Sequence, residues 1–244
     1  DLHLSLRRQR QMCIRDRNVT YGYPKKWKEN MTSGQVIAAE LRLGIVSGEI
    51  ESHIQLSENQ VAQQFNVSRS PVRDAFKLLQ TDQLIQLERM GAQVLPFGDQ
   101  EKKEMYDLRL MLESFAFSKL SGTDTQHIGK EMKKQLEMMK VAVQFEDAEA
   151  FTQHDFEFHE VMIQATNHQY LKVFWNHLKP VMESLILISM RQRMANDPKD
   201  FERIHKNHQV FIDAVENDDA SILRKAFHLN FDDVGENIEA FWLR

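Results

Sequence analysis

Residues 56–94 read LSENQVAQQFNVSRSPVRDAFKLLQTDQLIQLERMGAQV, and this stretch decides the fold of the N-terminal part of the chain. A short amphipathic helix is predicted to end at Asn66, a residue type that tolerates positive φ, and a second helix begins near Ser68. Two short strands joined by a polar turn follow at 84–87 and 92–95. The order of helix, tight turn, helix and hairpin predicts a winged helix-turn-helix.

The start of the second helix carries the residues that would meet DNA. In such a motif this helix enters the major groove, and its N-terminal residues contact base edges. Arg69 and Arg73 are four residues apart and therefore share one face, while Ser68 caps a helix end that favours phosphate. Exposed arginines also pair with acidic neighbours, so ion pairs with Asp74 or Glu58 are an open alternative.

The same stretch resembles the DNA-binding domain of the GntR family of bacterial regulators, through the ordered segments LSE, VSRSPVRDA and a glycine-bearing wing. By this resemblance, four residues contact operator bases and phosphates: Ser68, Arg69, Ser70 and Arg73. The wing around Arg89, Met90 and Gly91 would reach the minor groove. Asn59 stands where family members often carry an arginine, which leaves a contact at that position open.

The remainder of the chain is predicted to be helical. Pro96 opens a predicted hinge, PFGD, after which apolar residues recur at helical spacing. Six amphipathic helices are predicted, at 99–120, 124–145, 147–166, 169–191, 198–217 and 219–242. The fold class is therefore mainly α, divided into a tail at 1–30, a winged helix-turn-helix at 31–97 and an all-helical bundle at 98–244.

The composition narrows the class of protein. Hydrophobic residues form 42% of the 244 residues, enough for a packed core, and the low content of 9 Gly and 5 Pro favours helices. With a net charge of −5, any DNA contact must come from a local basic patch. The single Cys13 cannot form an internal disulfide, which fits a cytoplasmic protein. No run approaches the roughly 18 apolar residues of a membrane span, so no membrane partner is expected.

The N-terminal tail has no features of a functional segment. Residues 1–17 are basic but lack the apolar region and cleavage site of a secretory signal. The run MCIRDR, 12–17, resembles the translation of a transposon adapter used in sequencing libraries. We therefore expect the genuine protein to begin near Asn18, with a disordered or partly artefactual tail over 1–30.

A candidate metal site lies in the helical part. Asp155 and His159 are four residues apart on one predicted helix face, and His208 lies on a later helix. A carboxylate with imidazoles suits Zn, Ni or Mn rather than Ca. The spacing alone fits equally an ordinary pair at the edge of the core.

The helical part resembles the FCD effector domain of the FadR-type branch of the same family. The resemblance is carried by three segments, YDLRLMLE (106–113), DFEFH (155–159) and NH (207–208). This resemblance implies that Asp155, His159 and His208 are metal ligands and that a carboxylate effector completes the metal shell. The fourth ligand position falls at Asn230, whose neutral amide is a weaker ligand than imidazole. His228 lies about 200° away around the helix and cannot simply replace it.

Arg109 is the candidate effector contact, together with Asn230. A guanidinium among apolar helices needs a carboxylate, which an acidic effector could supply, or Glu113 one helical turn on. A closer resemblance within the family implies gluconate as the effector, and it is carried by three segments, 87–94, 175–193 and 228–234. The predicted protein is then a homodimeric repressor, released from double-stranded operator DNA by this small carboxylate.

Two other classes of protein fit parts of the sequence. A metal-dependent enzyme acting on sugar acids would use Asp155, His159 and His208 as ligands, although no HExxH pattern is present and the winged motif would be unexplained. Alternatively, the helical part is a plain dimerisation bundle. Its core stripes would then be Met132, Leu136, Met139, Val143, Phe174, Val181 and Leu185.

Overall fold

The computed structural model describes residues 21–89 and 91–231, with the side chains of Asn230 and Phe231 outside that description. The prediction that Met90 lies in the wing and those on residues 1–20 and 232–244 fall outside the described part. Contacts along the backbone divide the chain into two compact units between Phe97 and Gly98. The predicted mainly α fold with a small sheet is confirmed.

The N-terminal unit has the predicted order of helix, turn, helix and hairpin. Its elements are α1 (Ser33–Val46), β1 (Gln55–Leu56), α2 (Glu58–Gln64), α3 (Arg69–Thr81), β2 (Ile85–Glu88) and β3 (Gly91–Val94). The turn between α2 and α3 is made by Asn66 at φ +52°, as its residue type predicts. β1 was not predicted, and it pairs antiparallel with β3, giving a three-stranded sheet in the order β1, β3, β2.

Helix α1 forms the centre of this unit. It begins with a capping box in which Thr32 Oγ1 accepts a hydrogen bond from the Gln35 backbone, and the Gln35 side chain accepts one from the Thr32 N–H. The N-cap is thus Thr32. Residues 37–46 are all buried, and α1 packs against the apolar face of α3. The two helices hold the rest of the unit in place.

Part of the segment 21–30, which the sequence assigns to the disordered tail, is instead packed against α1. Tyr23 is buried, and its backbone N–H donates to the buried carboxylate of Glu40. The ammonium group of Lys28 pairs with the same carboxylate. A buried carboxylate needs such partners, so this segment satisfies a charge that α1 would otherwise leave unpaired.

The glycine at the start of β3 is required by the backbone. Gly91 has φ +143°, a conformation that residues with a side chain rarely adopt. A Cβ at this position would lie 2.2 Å from the carbonyl oxygen of Leu56 in β1. Gly91 therefore allows β1 to approach the hairpin closely.

We expect Gly91→Ala to destabilise the N-terminal unit by about 2–4 kcal/mol, because both the φ angle and the clash with Leu56 must be relieved. The matched control is Gly48→Ala, where φ is +81° but nothing lies within 4 Å of the added Cβ. This control should cost only about 1 kcal/mol. Hydrogen exchange of the β2–β3 hairpin in urea measures both, and equal losses in the two variants would contradict the close-approach argument.

The C-terminal unit is a bundle of helices. Within residues 98–231 these are α4 (Asp99–Leu120), α5 (Gln126–Gln144), α6 (Ala148–Ala165), α7 (Gln169–Asn196), α8 (Phe201–Asn217) and α9 (Ala220–Phe231). The predicted boundaries are close, with α7 running five residues past the predicted 191. Helix α8 starts later than predicted because Pro198–Asp200 forms a separate 3-10 turn. The predicted end of the last helix, at 242, lies outside the described part. None of the described helices is long and apolar enough to cross a membrane.

Helix α6 lies at the centre of the bundle, where it packs against α4, α5 and α7. Its Phe151, Phe156 and Phe158 side chains are almost completely buried. Val143 of the predicted core stripes is half-buried, and five others are buried as expected: Met132, Leu136, Met139, Val181 and Leu185. Phe174 is the exception: it is 61% exposed, so its assignment to the core was wrong. Its helical spacing identified a face of α7 without showing what covers that face.

Candidate DNA-binding surface and candidate metal centre

The start of α3 is presented to solvent. Ser68 occupies the N-cap position, but its side chain makes no capping hydrogen bond to the helix. Arg69, Ser70 and Arg73 are exposed, whereas the opposite face of the helix is buried against the unit. The structure thus leaves the polar side chains and the N–H groups of this helix end available to an anionic partner.

The two arginines differ in their surroundings. Arg73 donates from Nε to both carboxylate oxygens of Glu58, at 2.9 and 3.1 Å, which is one of the two ion pairs left open by the sequence. Arg73 nevertheless stays 59% exposed, so this pair is weak and can be exchanged. Across the described residues, Arg69 has no ion-pair partner.

The wing lies between β2 and β3. Arg89 is exposed in the turn that joins the two strands, and Gly91 is buried at the start of β3. The structure gives Gly91 the backbone role described above. Contacts of Arg89 and Gly91 with DNA stay predictions.

The candidate metal ligands come together inside the C-terminal unit. Asp155 and His159 are one turn apart on α6, and His208 reaches them from α8. All three are buried, and one donor atom from each lies within 4.8 Å of the others. Helix α4 adds Arg109 and Glu113, which are also buried. We call these five residues the acid–histidine cluster.

Hydrogen bonds hold the imidazoles of this cluster in defined orientations. His159 Nδ1 lies 2.8 Å from Glu113 Oε2, so Nδ1 carries the proton and Nε2 keeps its lone pair. His208 Nδ1 lies 2.8 Å from the carbonyl oxygen of Ile204, and its Nε2 lies 3.0 Å from Asp155 Oδ1. A second hydrogen bond through the other ring nitrogen is typical of histidines that bind metal.

The charges within the cluster compensate one another. Arg109 Nε lies 2.7 Å from Glu113 Oε1, and its Nη2 lies 3.9 Å from Asp155 Oδ2. Burial opposes the charge of Glu113, but its His159 and Arg109 partners lower its pKa. Likewise, burial opposes ionisation of Asp155, yet the hydrogen bond from His208 and the charge of Arg109 hold its pKa well below the usual range. Both carboxylates are therefore ionised at neutral pH.

The net charge of the acid–histidine cluster would favour binding of a cation. Burial lowers the pKa of His159, and the charge of Arg109 acts in the same direction, so this imidazole is neutral at neutral pH. Metal ligation would require His208 Nε2 to give up its hydrogen bond to Asp155, and with both imidazoles then neutral, one positive and two negative side chains would leave a net charge of −1. The donor set of one carboxylate oxygen and two imidazole nitrogens fits Zn, Ni or Mn.

The backbone near the expected fourth ligand is tied to the same region. Asn207 Nδ2 donates to the carbonyl oxygen of Leu229 at 2.6 Å, which joins the end of α9 to α8 one residue before His208. Asn230 follows Leu229 directly, but its side chain is outside the description. A ligand or effector role for Asn230 stays a prediction.

Sequence reasoning missed two contacts that shape the cluster. It named Glu113 only as an internal partner of Arg109, which it is, and did not find its hydrogen bond to His159. Asn207 was named only as part of a motif, without its link to Leu229. A sequence signal exists for the first, since Glu113 lies one turn from Arg109, but the partner on α6 depends on tertiary packing.

Comparison with known proteins settles the family. Residues 33–94 match the family described as bacterial regulatory proteins, gntR family, and residues 104–232 match the FCD domain. The chain is 47% identical to the gluconate operon transcriptional repressor of Bacillus subtilis, with 91% of each chain covered. The chain belongs to the GntR family. The repressor of the same name from Bacillus licheniformis is 45% identical to this GntR regulator, over 91% of each chain.

Solved structures agree with this fold. The GntR regulator superposes on E. coli McbR/YncC with a TM-score of 0.59 and 17% identity, over 87% of this chain and 98% of that one. Its relatives and both domain matches place it among DNA-binding transcriptional regulators. The enzyme alternative is therefore set aside, and the acid–histidine cluster belongs to a regulatory domain.

Proposed function

We propose that this GntR regulator is a homodimeric, cytoplasmic repressor of a gluconate operon, and that gluconate releases it from its operator. The observation that carries this proposal is the 47% identity, over 91% of both chains, to a protein named for that role. The proposal is consistent with an exposed α3 N-terminus in one unit and, in the other, a buried group of Asp155, His159 and His208 that could hold a metal ion.

On the DNA side, the start of α3 would lie in the major groove of each half-site. The exposed groups proposed to contact bases and phosphates are Ser68, Arg69, Ser70 and Arg73, with Arg89 and Gly91 in the wing. Arg73 would exchange its carboxylate partner Glu58 for an acceptor on the DNA. Arg69 has no ion-pair partner among the described residues, so it would contact DNA without giving one up.

On the effector side, Asp155, His159 and His208 would hold a divalent cation. When bound, that cation supplies a Lewis-acidic anchor for the carboxylate and α-hydroxyl of a sugar acid. Arg109 would add a charge-assisted hydrogen bond by replacing its long contact with Asp155, at 3.9 Å, while keeping Glu113. Asn230 is proposed to contribute from the end of α9.

The proposal is tested by fluorescence anisotropy of the full chain with a duplex operator selected from a random library. We expect millimolar gluconate to weaken operator binding by roughly 10- to 100-fold, in the range of allosteric coupling energies. Glucose, which lacks the carboxylate, is the control ligand and should have no effect. Unchanged operator affinity in gluconate, with the protein first loaded with Zn, Ni or Mn, would rule out the effector assignment.

A further inference from the structure

Large apolar side chains are exposed along one face of α4. Leu108 and Met111 are each 47% exposed, and Phe115 is 41% exposed. At 100° per residue these three positions fall within about 60° of one another around the helix axis. The rest of α4 is anchored inside the bundle by buried residues such as Leu110 and Phe117. An apolar stripe of this kind on a folded unit marks a surface that another molecule covers.

The stripe continues onto α7. Helices α4 and α7 pack against each other, and the Phe115 ring stands perpendicular to the ring of His168, the N-cap of α7, at 5.5 Å. Past this contact, the first two turns of α7 expose a second group of apolar side chains. We call the combined patch the α4/α7 surface, made of Leu108, Met111, Phe115, Tyr170, Val173 and Phe174.

The stripe on α4 has a symmetric arrangement about its midpoint. Leu108 lies three residues before Met111, and Phe115 lies three residues after Leu112. Exposed Glu104 lies seven residues before Met111, and exposed Lys119 lies seven residues after Leu112. In the described part of the chain neither Glu104 nor Lys119 has an ion-pair partner.

This pattern is self-complementary. If two copies of α4 cross antiparallel at Met111 and Leu112, Leu108 of each meets Phe115 of the other, and Glu104 of each meets Lys119 of the other. An interface in which residue i contacts residue j, and j contacts i, is the signature of a two-fold homodimer. The opposite charges at its two ends favour the antiparallel register over a shifted one.

We infer that the α4/α7 surface is the homodimer interface, with a second copy of this chain as its occupant and the two-fold axis passing between Met111 and Leu112. The inference rests on the proposed function in that a repressor reading two half-sites needs a dimer. It adds the surface, the register and the charge pairs. A second exposed stripe, at Met138 and Val141 of α5 and at its C-cap Phe145, has the same spacing but not the same charges. Lys134, which corresponds to Glu104, is paired with Glu131, and α5 ends at Gln144, before the position that corresponds to Lys119.

The first test is a charge exchange, read as the mass and dimer dissociation constant of the full chain by analytical ultracentrifugation. Glu104→Lys and Lys119→Glu each place like charges together twice per dimer, and we expect each to weaken the dimer about 10-fold. The double variant E104K/K119E restores opposite charges and should recover wild-type affinity. Additive weakening in the double variant would overturn the register.

The second test examines the apolar centre. Met111→Glu should weaken the dimer on the order of 100-fold, as loss of a central hot spot does. Met138→Glu is the matched control, since Met138 is 41% exposed on α5, and it should leave the dimer intact. In a Cys13→Ser background, Met111→Cys should form a disulfide between copies and Met138→Cys should not, a readout that does not require the Glu variant to fold.

The outcomes separate the two proposals. A wild-type dimer that is unaffected by Met111→Glu and unlinked by Met111→Cys overturns the α4/α7 interface but does not contradict a gluconate-responsive repressor. A dimer broken by Met111→Glu whose wild-type parent ignores gluconate supports the interface and overturns the effector assignment. A wild-type chain that is monomeric at micromolar concentration overturns the interface and the dimeric repressor together.

Discussion

Replacing both Arg69 and Arg73 by alanine is expected to weaken operator binding by roughly 100- to 1,000-fold at a fixed salt concentration. Both side chains are exposed at the start of α3, on one face of that helix. Each good arginine contact with a base contributes about 1–3 kcal/mol of discrimination, so losing two also relaxes the preference for the selected operator over random duplex. The measurement is a fluorescence anisotropy titration with both duplexes.

A matched variant separates this effect from a simple loss of two positive charges. Lys134 and Lys140 lie on α5 and pair there with Glu131 and Glu137, so K134A/K140A removes the same charge from the C-terminal unit. We expect this control to change operator affinity by less than about threefold, which is within the scale of screened long-range charge effects. Equal losses in the two double variants would contradict the assignment of α3 as the reading helix.

Replacing Asp155 by asparagine is expected to abolish metal binding and to destabilise the C-terminal unit by about 3 kcal/mol. The carboxylate accepts the hydrogen bond from His208 and faces Arg109, so its loss leaves both partners buried with weaker compensation. Calorimetric titration with ZnCl₂ measures the metal binding, and urea denaturation measures the stability.

The control for Asp155 lies two residues along the same helix. Glu157 is 35% exposed and lines a groove with Glu131 and Gln135 of α5, outside the acid–histidine cluster, and it accepts a hydrogen bond from Gln153. Glu157→Gln should keep both zinc affinity and stability. Zinc affinity that survives Asp155→Asn unchanged would show that the cluster is a structural ion-pair network and not a metal centre.

The parts of the fold that sequence reasoning predicted were those set by local signals. Asn66 marks one turn, because its position requires positive φ and asparagine tolerates that conformation. The polar residues before β3 mark a second turn in the same way. β1 has only two residues, and it exists because Leu56 pairs with Ala92 far along the chain. A strand held only by a distant partner leaves no periodic pattern in its own segment.

For the candidate site, too, the local spacing was predicted from the sequence and the contacts between helices were not. The spacing of Asp155 and His159 places them on one face of α6, but their meeting with His208 was inferred only through resemblance to a family. Glu113 joins the cluster through the packing of α4 against α6, which the sequence does not encode locally. Phe174 shows the converse limit, because helical spacing marks an apolar face on α7 whether the bundle or another molecule covers it.

The most direct test of the account is to locate α3 on the operator. In a Cys13→Ser background, Ser70→Cys carries an iron–EDTA cleavage reagent at the exposed start of α3, and Gln144→Cys carries it on α5 as the control. The account predicts that the Ser70→Cys conjugate cuts the duplex in two clusters about 10 base pairs apart, or a multiple of that, one cluster per half-site. Cuts that are uniform along the duplex, or identical for the two conjugates, would contradict it.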